Sequence, residues 1–176
     1  MILYCLSRVR RSGGMSMMKL RAIHDDDTEA VIDLIGGIYR EYGFEICLED
    51  AESDLTCISE HYTEDSFMVL IDSDDSIRAT VALTPCPERA HVAWLKRLYL
   101  DSFLRGGGHA DRLLEWALTR TRALKRNRVE LWSDVRFERA HRFYEKHGFT
   151  NDGTVRHMTD AHEPYDELFF SKQLGA

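Results

Sequence analysis

Proline is scarce in this chain, three in 176 residues, and cysteine is little commoner at four. The cysteines, at positions 5, 47, 57 and 86, form no Cys-x-x-Cys pair and no spacing suited to zinc or a small disulfide scaffold. Both frameworks are set aside, and reduced thiols in a cytoplasmic protein are expected. Long apolar runs are missing too. No stretch approaches the roughly 18–20 apolar residues that cross a bilayer, so no membrane-embedded segment is expected. The apolar run Ile2 to Leu6 precedes Arg8, Arg10 and Arg11, the reverse order of a secretory signal. Residues 1–18, with Gly13, Gly14 and the start-like Met15, Met17 and Met18, are expected to be a disordered tail or an upstream start.

Positive charge is in short supply as well. The net charge of −7 argues against general nucleic-acid binding, because phosphate repulsion would have to be overcome locally. The distribution is more informative. Leu20 to Asp75 holds 17 acids against Arg21 and Arg40, whereas Arg105 to Lys146 holds 11 Lys and Arg against 6 acids. Two solvated faces of opposite sign would account for this, as would an anion-binding half beside a half that attracts cations.

What is present is a hydrophobic content of 44%, enough for one domain over residues 19–174 with a substantial core. Lys19 to His24 alternates like a strand. Asp25, Asp26, Asp27 and Thr28 offer N-cap chemistry to a helix carrying Ala30, Val31, Leu34, Ile35 and Ile38 and ended by Gly43. Glu49 to His61 reads as a second helix. Ser66–Ile71 and Ile77–Leu83 read as a hairpin around Asp72 to Ser76, and Ala90–Leu100 as the next strand. From Ala110, the spacing of Leu113, Leu114, Ala117 and Leu118 predicts an amphipathic helix. A strand over Arg128–Trp132, a helix marked by Ala140, Phe143, Tyr144 and His147, a further strand without assigned bounds and a final strand over Glu167–Gln173 complete the order β-α-α-β-β-β-α-β-α-β-β. That order predicts an α/β fold with one mixed sheet.

Arg105-Gly106-Gly107-Gly108-His109-Ala110 falls between a strand and a helix. The free N–H groups of the first helical turn converge there, and glycines let a phosphate come close. No third glycine of a dinucleotide fingerprint falls at Asp111 and no Gly-Lys-Ser/Thr follows, so neither of those phosphate loops fits. Leu98-Tyr99-Leu100 followed by Arg105-x-x-Gly108-x-Ala110 resembles the GNAT acetyltransferase pattern. A second match is the helix end Ala140-His141-Arg142-Phe143-Tyr144-Glu145-Lys146-His147-Gly148-Phe149. One departure is Phe137, three positions before Ala140, where family members often carry an asparagine that helps hold the pantetheine arm.

The resemblance implies a mostly antiparallel sheet of six to seven strands flanked by about four helices. It also implies acetyl-coenzyme A as donor, and direct attack by an amine in a ternary complex. Cofactor contacts are implied at Leu98, Tyr99, Leu100, Arg105, Gly106, Gly107, Gly108, His109, Ala110, Phe137, Ala140, Phe143 and Tyr144. The backbone N–H of Leu98 would meet the thioester carbonyl, and Tyr144 would protonate the leaving thiolate. Many relatives place a glutamate base where this chain has Lys96. Asp134 and Glu45 are the remaining carboxylate candidates, and Lys96 with Arg97 would suit a substrate carboxylate.

Tyr39, Tyr42, Phe44, Trp132 and Tyr165 are expected to rim the acceptor pocket. The acceptor expected is a small amine, amino acid-like or polyamine-like. His157, Asp160, His162 and Glu163 match no zinc pattern, so no metal is expected. Neither nucleic acid nor membrane is expected as a partner, and a homodimer through the strand-rich C-terminal edge is compatible with the resemblance. A non-catalytic acyl-coenzyme A sensor or scaffold is the alternative.

Overall fold

The computed structural model describes residues 18–63 and 65–175. Cys5 and the predicted tail, Met18 apart, lie outside them. Seven strands form one sheet in the order β1-β2-β3-β4-β5-β7-β6, which is the mixed α/β architecture expected. The strands are β1 (Lys19–Ala22), β2 (Phe67–Ile71), β3 (Ile77–Pro85), β4 (Val92–Leu100), β5 (Arg128–Asp134), β6 (Thr150–Met158) and β7 (Tyr165–Gln173). The helices are α1 (Thr28–Glu41), α2 (Ile58–His61), α3 (His109–Ala123) and α4 (Glu138–Lys146). Among the described residues only β4 and β5 pair in parallel.

The two sheet faces bury separate cores. On one, Leu113, Leu114 and Ala117 of α3 and Tyr144 of α4 pack on Val81, Leu95, Leu131 and Phe170. On the other, Val31, Ile35 and Tyr39 of α1 cover Phe67, Val69 and Ala82. Each fully buried aliphatic side chain contributes roughly 1.5–3 kcal/mol, so either face alone would hold its helix in place. The apolar stripe of α1 runs through Val31, Ile35, Ile38 and Tyr39, with Ala30 exposed.

The second predicted helix is corrected. Glu49–His61 contains turns, a single 3-10 turn at Ser53–Leu55 and the one-turn α2. Local hydroxyl bonds compete with helical ones there: Ser53 Oγ donates to the Asp50 carbonyl and Thr56 Oγ1 to the Ser53 carbonyl, both at 2.7 Å. The carboxylates of Glu52 and Asp54 are drawn inward to Arg97, a tertiary demand that a regular helix would not meet.

Candidate active site

Two strands part at the centre of the sheet. β4 and β5 share only three register pairs, Val92 with Arg128, Ala93 with Val129 and Trp94 with Glu130. Beyond Trp94 the edge of β4 that faced β5 has no strand partner among the described residues, and a cavity of about 560 Å³ opens between Leu95–Leu100 and Leu131–Asp134. The closed end of this V is fastened electrostatically. Glu130, almost wholly buried, accepts from Arg89 at 2.8 and 2.6 Å and from Arg128 at 2.7 Å, and these cations hold its carboxyl below the usual range despite burial.

A bulge in β4 shapes the open end. Thr80 pairs with Tyr99 and Ala82 with Lys96, so Arg97 and Leu98 together oppose Val81 alone. Arg97 takes φ +53°, and the Thr80 hydroxyl donates to its carbonyl at 2.7 Å. Such a conformation costs a non-glycine residue roughly 1–3 kcal/mol. Its effect is to take the backbone of Leu98 out of the ladder at the mouth of the V. Nothing in the residue types around Arg97 signals this bulge.

The glycine loop closes the cavity on the α3 side. Gly106 and Gly108 both have positive φ, +81° and +79°, and a side chain built on either would project into open space. Among the described residues no backbone carbonyl accepts from the N–H of Gly106, Gly108, His109, Ala110 or Asp111. These donors, at the N-terminus of a 15-residue helix, suit the oxygens of a diphosphate. Arg105 lines the cavity beside them, its Nη1 bonded to Glu41 Oε2 of α1 at 2.6 Å. Gly107 and His109 turn instead toward each other, with the imidazole 3.1 Å from where a Gly107 Cβ would lie.

Most other predicted residues meet at this cavity: Tyr39, Tyr42, Phe44, Glu45, Lys96, Trp132, Tyr165, Ala140, Phe143 and Tyr144 all line it. Tyr144 is buried, which raises its phenol well above the ordinary range, and its hydroxyl has no hydrogen-bond partner among the described residues. Lys96, with its Nζ 5.9 Å from the Trp94 ring centre, is held below the usual lysine range. Desolvation is the main cause, with Arg97 and Arg156 adding to it and Asp54 opposing.

Three predicted residues are placed otherwise than expected. Arg97 lines the cavity, but its guanidinium is committed to Asp54 on two nitrogens and lies 3.7 Å from Glu52, so it is not free to take a substrate carboxylate. Asp134 is buried and its carboxylate receives the Arg136 backbone N–H at 2.8 Å and the Arg136 side chain on both oxygens, which leaves it ill suited to take a proton. Phe137 points its ring at Tyr39, Tyr42 and Phe44, centroids 4.8–5.9 Å apart, and so packs against the α1 side of the cavity.

Several groups were not anticipated from sequence. Glu52 and Asp54 belong to the helix that does not form. Glu167 and Arg156, on adjacent strands and 2.5 Å apart, line the floor with the Arg156 guanidinium 4.4 Å over Trp132. Burial raises the Glu167 carboxyl above its usual range, with Arg156 opposing. Over them the α1–β2 connection meets the β6–β7 loop, where the Ala51 N–H donates to the Asp160 carbonyl at 2.9 Å. His157 pairs with Asp166 at 2.8 Å, and among the described residues no three His, Cys, Asp or Glu side chains are grouped to hold a metal ion.

The profile of the acetyltransferase (GNAT) family matches residues 28–149, and the chain belongs to that family. Among solved structures, a GNAT acetyltransferase from Staphylococcus aureus Mu50 superposes with a TM-score of 0.75 at 20% identity, over 90% of this chain and 100% of that one. An acetyltransferase from Streptococcus agalactiae gives 0.72 at 21%, over 89% and 98%. The ribosomal-protein-S18-alanine N-acetyltransferase from Escherichia coli gives 0.65 at 15%, over 91% and 96%. At these identities the likeness is one of fold. No curated protein sequence matches the chain. No helix among the described residues is long and apolar enough to cross a membrane.

Proposed function

We propose that the chain transfers the acetyl group of acetyl-coenzyme A to the amine of a small, amino acid-like acceptor by direct attack in a ternary complex. The observation that carries this reading is the parting of β4 and β5 beside a glycine loop in which the N–H groups of Gly106, Gly108, His109, Ala110 and Asp111 meet no backbone carbonyl among the described residues. The diphosphate would lie on residues 106–111, with Arg105 supplying charge, and the pantetheine arm would run along the unpaired edge of β4 as an added strand. The thioester oxygen would meet the Leu98 N–H at the bulge. Tyr144, kept protonated by burial, would hand its proton to the leaving thiolate.

A small acceptor is favoured by the bridged loops at Ala51 and Asp160, which roof the side of the cavity opposite α3. Lys96 and Arg139 are the wall cations with no carboxylate partner among the described ion pairs, and Lys96, on the bulged strand β4, suits the acid group of an amino acid. A thiol-release assay with acetyl-coenzyme A over amino acids, polyamines, aminoglycosides and peptide N-termini tests the proposal. Turnover on the amino acid set is expected, and failure to bind acetyl-coenzyme A at millimolar concentration would refute it.

The second reading, a non-catalytic acyl-coenzyme A module, draws on the tethering of Asp134 by Arg136 and on Lys96 standing where relatives carry a base. Turnover with any amine removes it.

A further inference from the structure

At neutral pH a primary amine enters as an ammonium and must lose a proton before its nitrogen can attack. Of the carboxylates expected to take it, Asp134 is saturated by Arg136 and Glu45 is exposed on the rim. A different path is built into the wall. Tyr39 Oη lies 2.8 Å from Glu52 Oε1 and 2.8 Å from Tyr99 Oη. A carboxylate accepts only, so the single proton of Tyr39 goes to Glu52, and the donor between the two phenols is Tyr99. The chain of hydrogen bonds thus has one direction, Tyr99 to Tyr39 to Glu52, and its inner end is a carboxylate only 6% exposed.

The outer end is in the right place. Leu98 packs into the α3 side of the sheet and Tyr99, next along the bulged strand, into the α1 side. An acceptor approaching from under the α1–β2 connection toward a carbonyl held at Leu98 would pass the Tyr99 oxygen. Burial raises both phenols above their ordinary value, so each keeps a proton and can only pass one on. The charged and titratable groups facing the relay are Arg97, 3.7 Å from Glu52, with Asp54 and the Tyr62 hydroxyl beyond it, Arg136 on the Tyr39 side and Tyr165 on the Glu52 side. The Cys47 N–H donates to the second Glu52 oxygen at 3.1 Å, and the rings of Phe44 and Phe137 seal the remaining side.

We propose that Tyr99, Tyr39 and Glu52 are the proton relay of the transfer, with Tyr99 the catalytic residue that touches the amine. The inference rests on the acetyl-transfer reading above. The ammonium proton passes to Tyr99 Oη as the Tyr99 proton moves to Tyr39 and that of Tyr39 to Glu52, which ends as a carboxylic acid and returns the proton to solvent after turnover. The neutral nitrogen forms the C–N bond and the C–S bond breaks. The thiolate takes the Tyr144 proton, and Tyr144 regains one from the nitrogen, so one proton is released overall.

The test compares wild type, Tyr99→Phe and Tyr39→Phe on two acceptors: the amino acid the wild type takes fastest, and its aminooxy analogue, whose nitrogen is neutral at neutral pH. On the amino acid both variants should lose roughly 10²-fold in kcat/KM near neutral pH and recover as pH approaches the acceptor's own pKa. On the aminooxy acceptor they should stay within about threefold of wild type with acetyl-coenzyme A affinity kept; Tyr39→Phe leaves the buried Glu52 short of a donor and should lower Tm, so both variants are assayed well below their melting temperatures. Equal losses on both acceptors, or no loss on either, overturn the relay while leaving acetyl transfer intact. A wild type that releases no thiol with any amine overturns the transfer reading and the relay with it.

Discussion

Arg105 of the glycine loop bonds Glu41 at the end of α1, Nη1 to Oε2 at 2.6 Å, so the one arginine inside the anion cradle is paired with a carboxylate of the opposite sheet face. A diphosphate entering the loop competes with Glu41 for that guanidinium. Glu41→Gln should tighten acetyl-coenzyme A binding about threefold and Arg105→Ala should weaken it about tenfold, both differences shrinking at high salt. Calorimetric titration at two ionic strengths checks this, and identical affinities for all three proteins would count against Arg105 as a phosphate ligand.

Gly108 has room for a side chain but not the backbone for one. Gly108→Val should cost about 1–2 kcal/mol of stability through its positive φ and lose more than tenfold in cofactor affinity, because the side chain enters the cradle. Thermal melts with and without acetyl-coenzyme A separate the two effects. Retained affinity would mean that the loop is not the diphosphate site.

Tyr144→Phe removes a hydroxyl that bonds nothing in the described structure, so Tm should hold within about 2 °C. The kcat should fall by roughly 10²-fold with acetyl-coenzyme A affinity unchanged. An unaltered kcat would reassign Tyr144 to packing among Phe143, Phe149 and Phe170.

Lys96→Ala should raise KM about tenfold for acceptors bearing a carboxylate and leave their carboxamides unaffected. Parallel increases for acid and amide would show that Lys96 contributes only to the shape of the wall.

The Glu130 carboxylate joins Arg89 and Arg128 at the closed end of the strand V. Its folded pKa lies below its ordinary 4.5, so its contribution is complete above that value and is lost as pH falls through the lower folded value. Glu130→Gln should cost about 3 kcal/mol near neutral pH, or roughly 6–12 °C in Tm, and the gap to wild type should narrow as pH falls below 4.5. A gap constant with pH would argue that the ion pair does not set the acid stability.

Period and spacing were enough to locate β1 to β5 and β7, the helices α1, α3 and α4, and the glycine loop, whereas β6 was given no bounds. The stripe through Leu113, Leu114 and Ala117 and the triplet from Gly106 to Gly108 are local patterns, carried by residues within one or two turns of each other. Glu49–His61 misled because its helical spacing was real, while its carboxylates answer to an arginine more than 40 positions away in the chain. The bulge at Arg97, the occupation of Asp134 by Arg136, and the meeting of Tyr39, Glu52 and Tyr99 were decided only in three dimensions. Side-chain commitment depends on which partner the fold delivers, and hydrogen bonds of 2.8 Å between residues 60 positions apart leave no trace in sequence order. The sequence alone thus determined the family and the place of the glycine loop between a strand and a helix; the tertiary structure decided which of the charged and phenolic groups around the cavity stay available for chemistry.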